Sequence, residues 1–162
     1  MITISVKGQK SHARRQFTEL AARAILRKLV NDRMNLDVEI VFKKLSKSET
    51  EEGIVGLCIV EDYGRSPRMF TVEISSEASW ADQLSTLSHE LIHVKQYATN
   101  ELYHYAKLGT YRWRNEKYFH TPYSKRPWER EAYRRQNILL KEFAHENYAA
   151  CKKMMLAEGI TL

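Results

Sequence analysis

Residues 84–97 read LSTLSHELIHVKQY, and we expect the rest of the chain to be arranged around this stretch. Leu84, Leu87, Leu91 and Val94 recur at intervals of three and four, which predicts an amphipathic helix with one apolar face. At about 100° per residue, His89 and His93 of this stretch fall on the opposite side of the helix. We therefore expect a helix that packs on a core with one face and presents two histidines to a cleft with the other.

The same stretch contains the pattern H-E-x-x-H, formed by His89, Glu90 and His93. Histidines four residues apart on a helix lie one above the other, so both rings can bind one metal ion from the same side. Glu90 would then lie beside the metal, where its carboxylate can accept a proton from water that the metal activates. This pattern is typical of zinc metallopeptidases. The alternative is a solvent-facing histidine pair on an ordinary surface helix.

A catalytic zinc ion needs a third protein ligand and one open position. The candidates downstream of His93 are His104, Glu116, His120, Glu129 and Glu131. Glu129 and Glu131 follow Pro127, which favours the start of a helix, and a ligand on a helix is held more rigidly than one on a loop. Positions two apart on a helix differ by about 200°, so at most one of these two carboxylates can face the metal.

The segments HELIHVKQY (89–97) and PWEREAY (127–133) together resemble the gluzincin-type zincins. In that family the third ligand is a glutamate on a downstream helix, followed three positions later by a small residue. This pattern maps onto Glu129 and Ala132. The resemblance therefore implies a Zn²⁺ site formed by His89, His93 and Glu129, with His120 and Glu131 as the alternatives for the third ligand.

The resemblance covers about residues 70–133 and is greatest to the small intracellular zincin-like proteins of bacteria and phages. SprT-like proteases are a related comparison, but their third ligand is a histidine in a His-Gly segment, and this chain has no His-Gly pair. The resemblance implies a zinc-dependent peptidase in which Glu90 is the general base. A phenol or imidazole would stabilise the oxyanion of the reaction. Tyr123 and Tyr133 are the leading candidates, and Tyr118 and His120 are the others.

The hydrophobic pattern predicts an α+β fold, in which a small mixed sheet packs against an N-terminal helix and the motif helix, and a long helix ends the chain. The resemblance implies that this fold is zincin-like. The predicted elements are strands at 2–7, 38–43, 54–60 and 69–75 and helices at 11–33, from Ser79 or Asp82 through the motif, and from Pro127 to about Leu156. We expect residues 1–162 to form one domain.

Two strands of this sheet carry specific expectations. Residues 54–60 are almost continuously apolar, which favours a central strand covered on both faces. Residues 69–75 alternate between apolar and polar side chains and directly precede the motif helix. We expect this second strand at the edge of the sheet, where an extended peptide substrate could pair with its backbone.

Composition limits the classes of function. The chain has 162 residues and only two cysteines, Cys58 and Cys151, and no apolar run approaches the length of a membrane span. Its first residues lack the pattern of a signal peptide. We therefore expect a cytoplasmic protein with no membrane partner that acts on a protein or peptide substrate.

The net charge of +6 permits an acidic partner. Residues 103–123 mix tyrosine and tryptophan with arginine and lysine and could stack on single-stranded nucleic acid, with Arg112, Trp113 and Arg114 as contacts. We favour the alternative that this segment forms a wall of the substrate cleft. Two functions other than a plain peptidase therefore stay open, a nucleic-acid-associated SprT-like protease and a zinc-stabilised interaction protein without turnover.

Overall fold

The computed structural model describes residues 1–47 and 53–159, and within them the fold is mixed α+β, as the sequence predicts. No helix in these two ranges is both long and apolar enough to cross a bilayer. The helices are α1 (His12–Leu29), α2 (Trp80–Ala98), α3 (Pro127–Glu146) and α4 (Tyr148–Ala157). The strands are β1 (Ile2–Lys7), β2 (Leu36–Lys43), β3 (Gly56–Val60), β4 (Met69–Ser75), β5 (Leu102–His104), β6 (Thr110–Trp113) and β7 (Glu116–Phe119).

The first four strands form one mixed sheet in the order β1-β2-β4-β3. β1, β2 and β4 run parallel, and β3 is antiparallel to β4. The expected positions of two strands were therefore wrong: β4 is an inner strand, and β3 is at the edge. The apolar run was misleading because β3 is only partly buried along its whole length, and several of its apolar side chains line a cleft instead of a second layer.

One face of this sheet carries the main core. Alternate residues of β2 and β4, such as Val38, Ile40 and Val72, are completely buried. They belong to the same apolar cluster as Ile25 of α1 and Leu91 of α2. The apolar stripe of α2 thus faces the core as expected, since Leu87, Leu91, Val94 and Ala98 are buried and Leu84 packs at its margin.

Two helix ends differ from the predicted ones. α1 stops at Leu29 instead of Arg33, because Val30 is extended and the Asn31 side chain accepts a hydrogen bond from the Arg33 amide. The predicted C-terminal helix is two helices, α3 and α4. They meet at Asn147, whose side chain and backbone N–H both donate to the Phe143 carbonyl. Asparagine competes in this way with regular helix hydrogen bonding, so it is a natural break point.

The second sheet, β5-β6-β7, is antiparallel and packs on the start of α3. Trp128 is its anchor, with the rings of Tyr111 and Tyr118 at 4.9 Å and 5.5 Å and Trp113 buried beside it. α2 is fixed from the other side by the first sheet, because Leu87 and Leu91 belong to its apolar cluster and Gln83 donates a hydrogen bond to the Ser75 carbonyl at the end of β4. The motif helix and the start of α3 are therefore held against each other by both sheets.

Hydrogen exchange followed residue by residue by NMR tests the strand order. An inner strand has ladder partners on both sides, so we expect all amides from Phe70 to Ile74 to exchange slowly. In an edge strand every second amide lacks a ladder partner, so we expect alternate amides of β3 to exchange much faster. Alternation in β4 with uniform protection in β3 would contradict the order described above.

Candidate metal centre

The motif residues lie on the side of α2 that faces α3. His89, Glu90 and His93 are 6%, 6% and 7% exposed, so all three are buried although none belongs to the apolar stripe. The apolar stripe holds the other side of α2 in the core. The histidines therefore face inward toward the start of α3 and cannot form the surface pair considered in the sequence analysis.

Glu129, in the first turn of α3, completes a compact cluster with the two histidines. Its Oε2 lies 3.1 Å from His89 Nε2 and 3.3 Å from His93 Nε2, and the two Nε2 atoms are 3.1 Å apart. Four-coordinate zinc binds nitrogen and oxygen at 2.0–2.2 Å, which places tetrahedral ligand atoms about 3.3 Å apart. The three atoms thus have the mutual separations of ligands to one metal ion, and His89, His93 and Glu129 can hold one.

Two glutamines fix which nitrogen of each ring faces the cluster. Gln96 Nε2 donates to the Trp128 carbonyl and to Glu131, so Gln96 Oε1 is the atom that meets His93 Nδ1, at 2.7 Å. Gln136 Oε1 meets His89 Nδ1 at 2.8 Å. An amide oxygen only accepts, so both Nδ1 atoms carry hydrogen and both neutral rings turn a lone pair on Nε2 toward Glu129.

This arrangement fits a cation. Two lone pairs and a carboxylate oxygen about 3 Å apart repel one another in a buried site unless positive charge lies between them. A proton can bridge one pair of these atoms, whereas a divalent ion can satisfy all three. Hydrogen bonds from metal-binding histidines to a second acceptor are a regular feature of metal sites, and both Gln96 and Gln136 accept one here. The sequence analysis did not identify either glutamine.

The remaining third-ligand candidates lie elsewhere. Glu131 is on the far side of the first turn of α3, where it accepts from Gln96 and lies 3.7 Å from Lys95 and 3.6 Å from Arg135. It thus acts on His93 only through Gln96. His104 stacks on Tyr111, the exposed Glu116 carboxylate accepts from Tyr118, and the exposed His120 lies against Gly109.

Glu90 lies between the metal cluster and β3. A Cβ atom added to Gly56 of β3 would be 3.2 Å from Glu90 Oε1 and would overlap the Thr86 methyl group. The edge strand can therefore approach this carboxylate only because residue 56 is glycine. No hydrogen-bond donor within residues 1–47 and 53–159 contacts the Glu90 carboxylate, so its oxygens are available to a bound molecule.

The site lies in a cleft of about 760 Å³ between β3 and the start of α3. Tyr123 and Tyr133 both line this cleft, whereas Tyr118 and His120 are not among its lining residues. The Tyr123 hydroxyl donates to Glu129 Oε2 at 2.6 Å, and the Tyr133 ring packs 4.6 Å from the His89 ring. Tyr123 therefore holds the carboxylate of Glu129, and Tyr133 is the better placed of the two to meet a bound molecule.

The aromatic and basic segment 103–123 contributes Tyr111 and Tyr123 to the cleft, as expected of a cleft wall. Of the three residues considered for nucleic-acid stacking, Trp113 is buried on Trp128. Arg112 donates to Asn100 and to the backbone of Arg114. Arg114, the third of these residues, is exposed, and its guanidinium group lies 5.0 Å from the Trp113 ring.

Burial and mutual contact shift the pKa values of the cluster. Burial alone would lower the pKa of His93, but its hydrogen bond to Glu129 and the negative charge of Glu90 raise that pKa to about 9. Burial favours the neutral form of Glu129, yet the contacts of its carboxylate with the side chains of His89 and His93 outweigh burial and hold the pKa of Glu129 well below its usual range. Burial also raises the pKa of Glu90. The site therefore stabilises positive charge between the histidines and Glu129.

Comparisons with protein-family models, with curated proteins and with solved structures find no match for this chain. The class that the fold and the site define is thus an α+β protein with a buried His-His-Glu cluster able to hold a metal ion.

The role of Gln96 can be tested with a matched control. We expect Gln96→Met to weaken Zn²⁺ binding by about 10–100-fold, since the ring of His93 loses the acceptor that fixes its orientation. Gln83 is also buried on α2 but donates to the Ser75 carbonyl instead of meeting a histidine. Gln83→Met should leave affinity unchanged. Competition with a chromophoric chelator measures the Zn²⁺ affinity of each variant. Equal affinities in the two variants would contradict the proposed role of Gln96.

The raised pKa of His93 predicts how the stability of the metal-free protein depends on pH. A histidine whose pKa rises from 6.5 to about 9 on folding stabilises the fold fully below pH 6.5 and loses this contribution as the pH rises through 9. We expect the free energy of unfolding to fall by roughly 1–3 kcal/mol between pH 6.5 and pH 9.5. Urea unfolding in the presence of a chelator, repeated at each pH, measures this free energy.

His93→Ala provides the control for this pH dependence. It removes the titrating group, so the decrease between pH 6.5 and pH 9.5 should be much smaller in this variant. A slope that is the same in both proteins would show that another group is responsible.

Proposed function

We propose that this chain is a zinc-dependent peptidase with a zincin-like fold. The observation that supports it most is the convergence of His89 Nε2, His93 Nε2 and Glu129 Oε2 beside the free carboxylate of Glu90, in an open cleft. A structural zinc site is normally closed by four protein ligands. Three ligands next to a carboxylate that can act as a base are the composition of a catalytic site.

Zinc is the metal that we propose. Two imidazoles and one carboxylate are a ligand set that catalytic zinc uses, whereas calcium and magnesium prefer oxygen ligands. When bound, zinc would supply Lewis acidity, which lowers the pKa of water toward about 7 and polarises a substrate carbonyl.

The chain's own residues would carry the proton transfers and position the substrate. Glu90 would accept a proton from the attacking water and deliver it to the leaving amine. Its raised pKa suits this exchange, because burial makes the Glu90 carboxylate a stronger base than an exposed glutamate and so a better acceptor of the proton of the attacking water. Tyr133 would donate a hydrogen bond to the oxyanion, and Tyr123 would keep Glu129 oriented.

The edge strand β3 would bind the substrate backbone. It pairs with β4 on one side, and no strand within the described ranges lies on its other side. An extended peptide could therefore add to the free edge of β3, as we first expected for β4. Gly56 at the start of β3 would bring such a peptide next to Glu90.

The substitution Glu90→Gln tests this function. The amide cannot accept the proton of the attacking water, so we expect peptide cleavage to fall by at least about 100-fold. Zinc content should stay near one ion per chain, because Glu90 is not a ligand. Glu77→Gln, at an exposed carboxylate outside the cleft, provides the matched control and should behave like the wild type.

Different outcomes separate the alternatives. Cleavage of a peptide library by the zinc-loaded wild type, lost with Glu90→Gln, would support the peptidase. Zinc binding with no cleavage of any peptide would instead favour the interaction protein without turnover. Unchanged cleavage in Glu90→Gln would remove Glu90 as the base.

A further inference from the structure

One arginine side chain lines the same cleft as the carboxylates of Glu90 and Glu129. Arg126 lies three residues before Glu129, at the turn into α3, and its side chain lines the cleft. It is the only arginine or lysine among the lining residues that the structure describes. The other charged or titratable side chains on these walls include Glu90, Glu129 and the two histidines.

The guanidinium group of Arg126 is held in place. Its Nε donates to the Thr121 carbonyl at 3.0 Å, and the group lies 5.6 Å from the Tyr111 ring and 5.7 Å from the Tyr123 ring. The backbone amide of Arg126 also donates to the Tyr123 carbonyl. A half-buried arginine fixed between two aromatic rings has already lost much of the side-chain freedom that binding would otherwise restrict.

The terminal nitrogens of Arg126 make no hydrogen bond with residues 1–47 or 53–159. In the described part of the chain, no carboxylate lies within ion-pair distance of Arg126, and its only side-chain hydrogen bond is the one from Nε. Other arginines near the site are neutralised or satisfied, for example Arg135 beside Glu131 and Arg112 on Asn100. Arg126 thus presents two free N–H₂ groups in a partly desolvated cleft, which is the geometry that pairs with a carboxylate.

We propose that Arg126 binds a carboxylate of the peptide substrate and makes the cleft selective for acidic peptides. This inference rests on the peptidase function proposed above and names its substrate class. The carboxylate can be an aspartate or glutamate side chain or the C-terminus of a peptide, since both present the same two oxygens. Arg126 is the only arginine or lysine among the described lining residues, so it is the side chain of these walls that can pair with a substrate carboxylate through two N–H groups.

Binding and cleavage are measured on the same set of peptides. The set shares one neutral, C-terminally amidated sequence into which a single carboxylate is introduced, either as glutamate in place of glutamine at successive positions or as a free C-terminus. Fluorescence anisotropy with zinc-loaded Glu90→Gln reports binding without turnover. The value of kcat/KM with the zinc-loaded wild type reports cleavage.

We expect at least one carboxylate-bearing peptide to bind about tenfold more tightly than the neutral parent, as a charge-assisted hydrogen-bonded pair provides. Adding Arg126→Gln should abolish this preference, so that carboxylate-bearing peptides and the neutral parent bind this variant with equal affinity. Arg126→Lys keeps the charge but not the two-pronged geometry, so it should retain only part of the preference. If the glutamate peptides bind more tightly than the neutral parent, Arg126 binds an acidic side chain. If the peptide with the free C-terminus binds more tightly, Arg126 binds the C-terminal carboxylate.

Arg130→Gln is the matched control. Arg130 lies one helical turn further along α3 and is exposed, and it is not among the residues that line the cleft. This substitution removes the same charge and should keep the preference. Circular dichroism melting of each variant shows whether it is folded, and Arg126→Lys tests the proposal if Arg126→Gln does not fold.

Two results would overturn the proposal: no preference for any carboxylate peptide, or a preference that survives Arg126→Gln. A failure of the proposed peptidase function would give a different set of binding and cleavage results. In that case Arg126-dependent binding of acidic peptides persists, while the wild type cleaves none of them.

Discussion

The central constraint in this structure is the mutual repulsion of three electron-rich atoms. His89 Nε2, His93 Nε2 and Glu129 Oε2 lie within 3.3 Å of one another in a buried site. In water such atoms would separate and be hydrated, but here neither their backbones nor the surrounding packing allows it. Positive charge must therefore enter the cluster, as a proton on His93 in the metal-free protein or as a metal ion.

The fold keeps these atoms together with contacts on both sides of the site. The apolar stripe of α2 fixes the direction of the histidines, and Trp128 fixes the start of α3 and thus Glu129. Gln96 connects the two elements directly, because it bonds His93 with its oxygen and the Trp128 carbonyl with its nitrogen. One buried side chain therefore fixes the tautomer of His93 and joins α2 to the start of α3. A glutamine suits this position because a single planar amide carries both a donor and an acceptor.

The cluster and the strands of the first sheet were largely predictable from the sequence, but the order of β3 and β4 in that sheet was not. The spacing of His89 and His93 and the apolar stripe behind them are local properties of one helix, and helical periodicity expresses them directly. The choice of Glu129 over Glu131 came from the resemblance, since geometry alone only showed that one of them must face away. Gln96 gave no signal because a buried glutamine looks like any polar helix residue in a sequence. Strand order depends on contacts between distant segments, and local alternation does not encode it. For this reason β3 and β4 were assigned to each other's positions.

The apolar run at residues 54–60 predicted a central strand, whereas β3 lies at the edge of the sheet. The difference has a physical explanation that involves the cleft. An apolar run normally indicates a strand covered on both faces, but Val55, Leu57 and Cys58 line the cleft at the edge of the sheet. An exposed apolar edge strand is an aggregation hazard that proteins usually blunt with charge, proline or a covering segment. Within Gly56–Val60 none of the five residues is charged or proline, and no strand in the described ranges pairs with the outer edge, so the backbone groups of that edge stay accessible. Such an edge is suited to pair with an extended chain, and Gly56 allows that pairing to reach the carboxylate of Glu90. The apolar run that resembles a central strand in the sequence is thus the one that lines the cleft beside an unpaired strand edge.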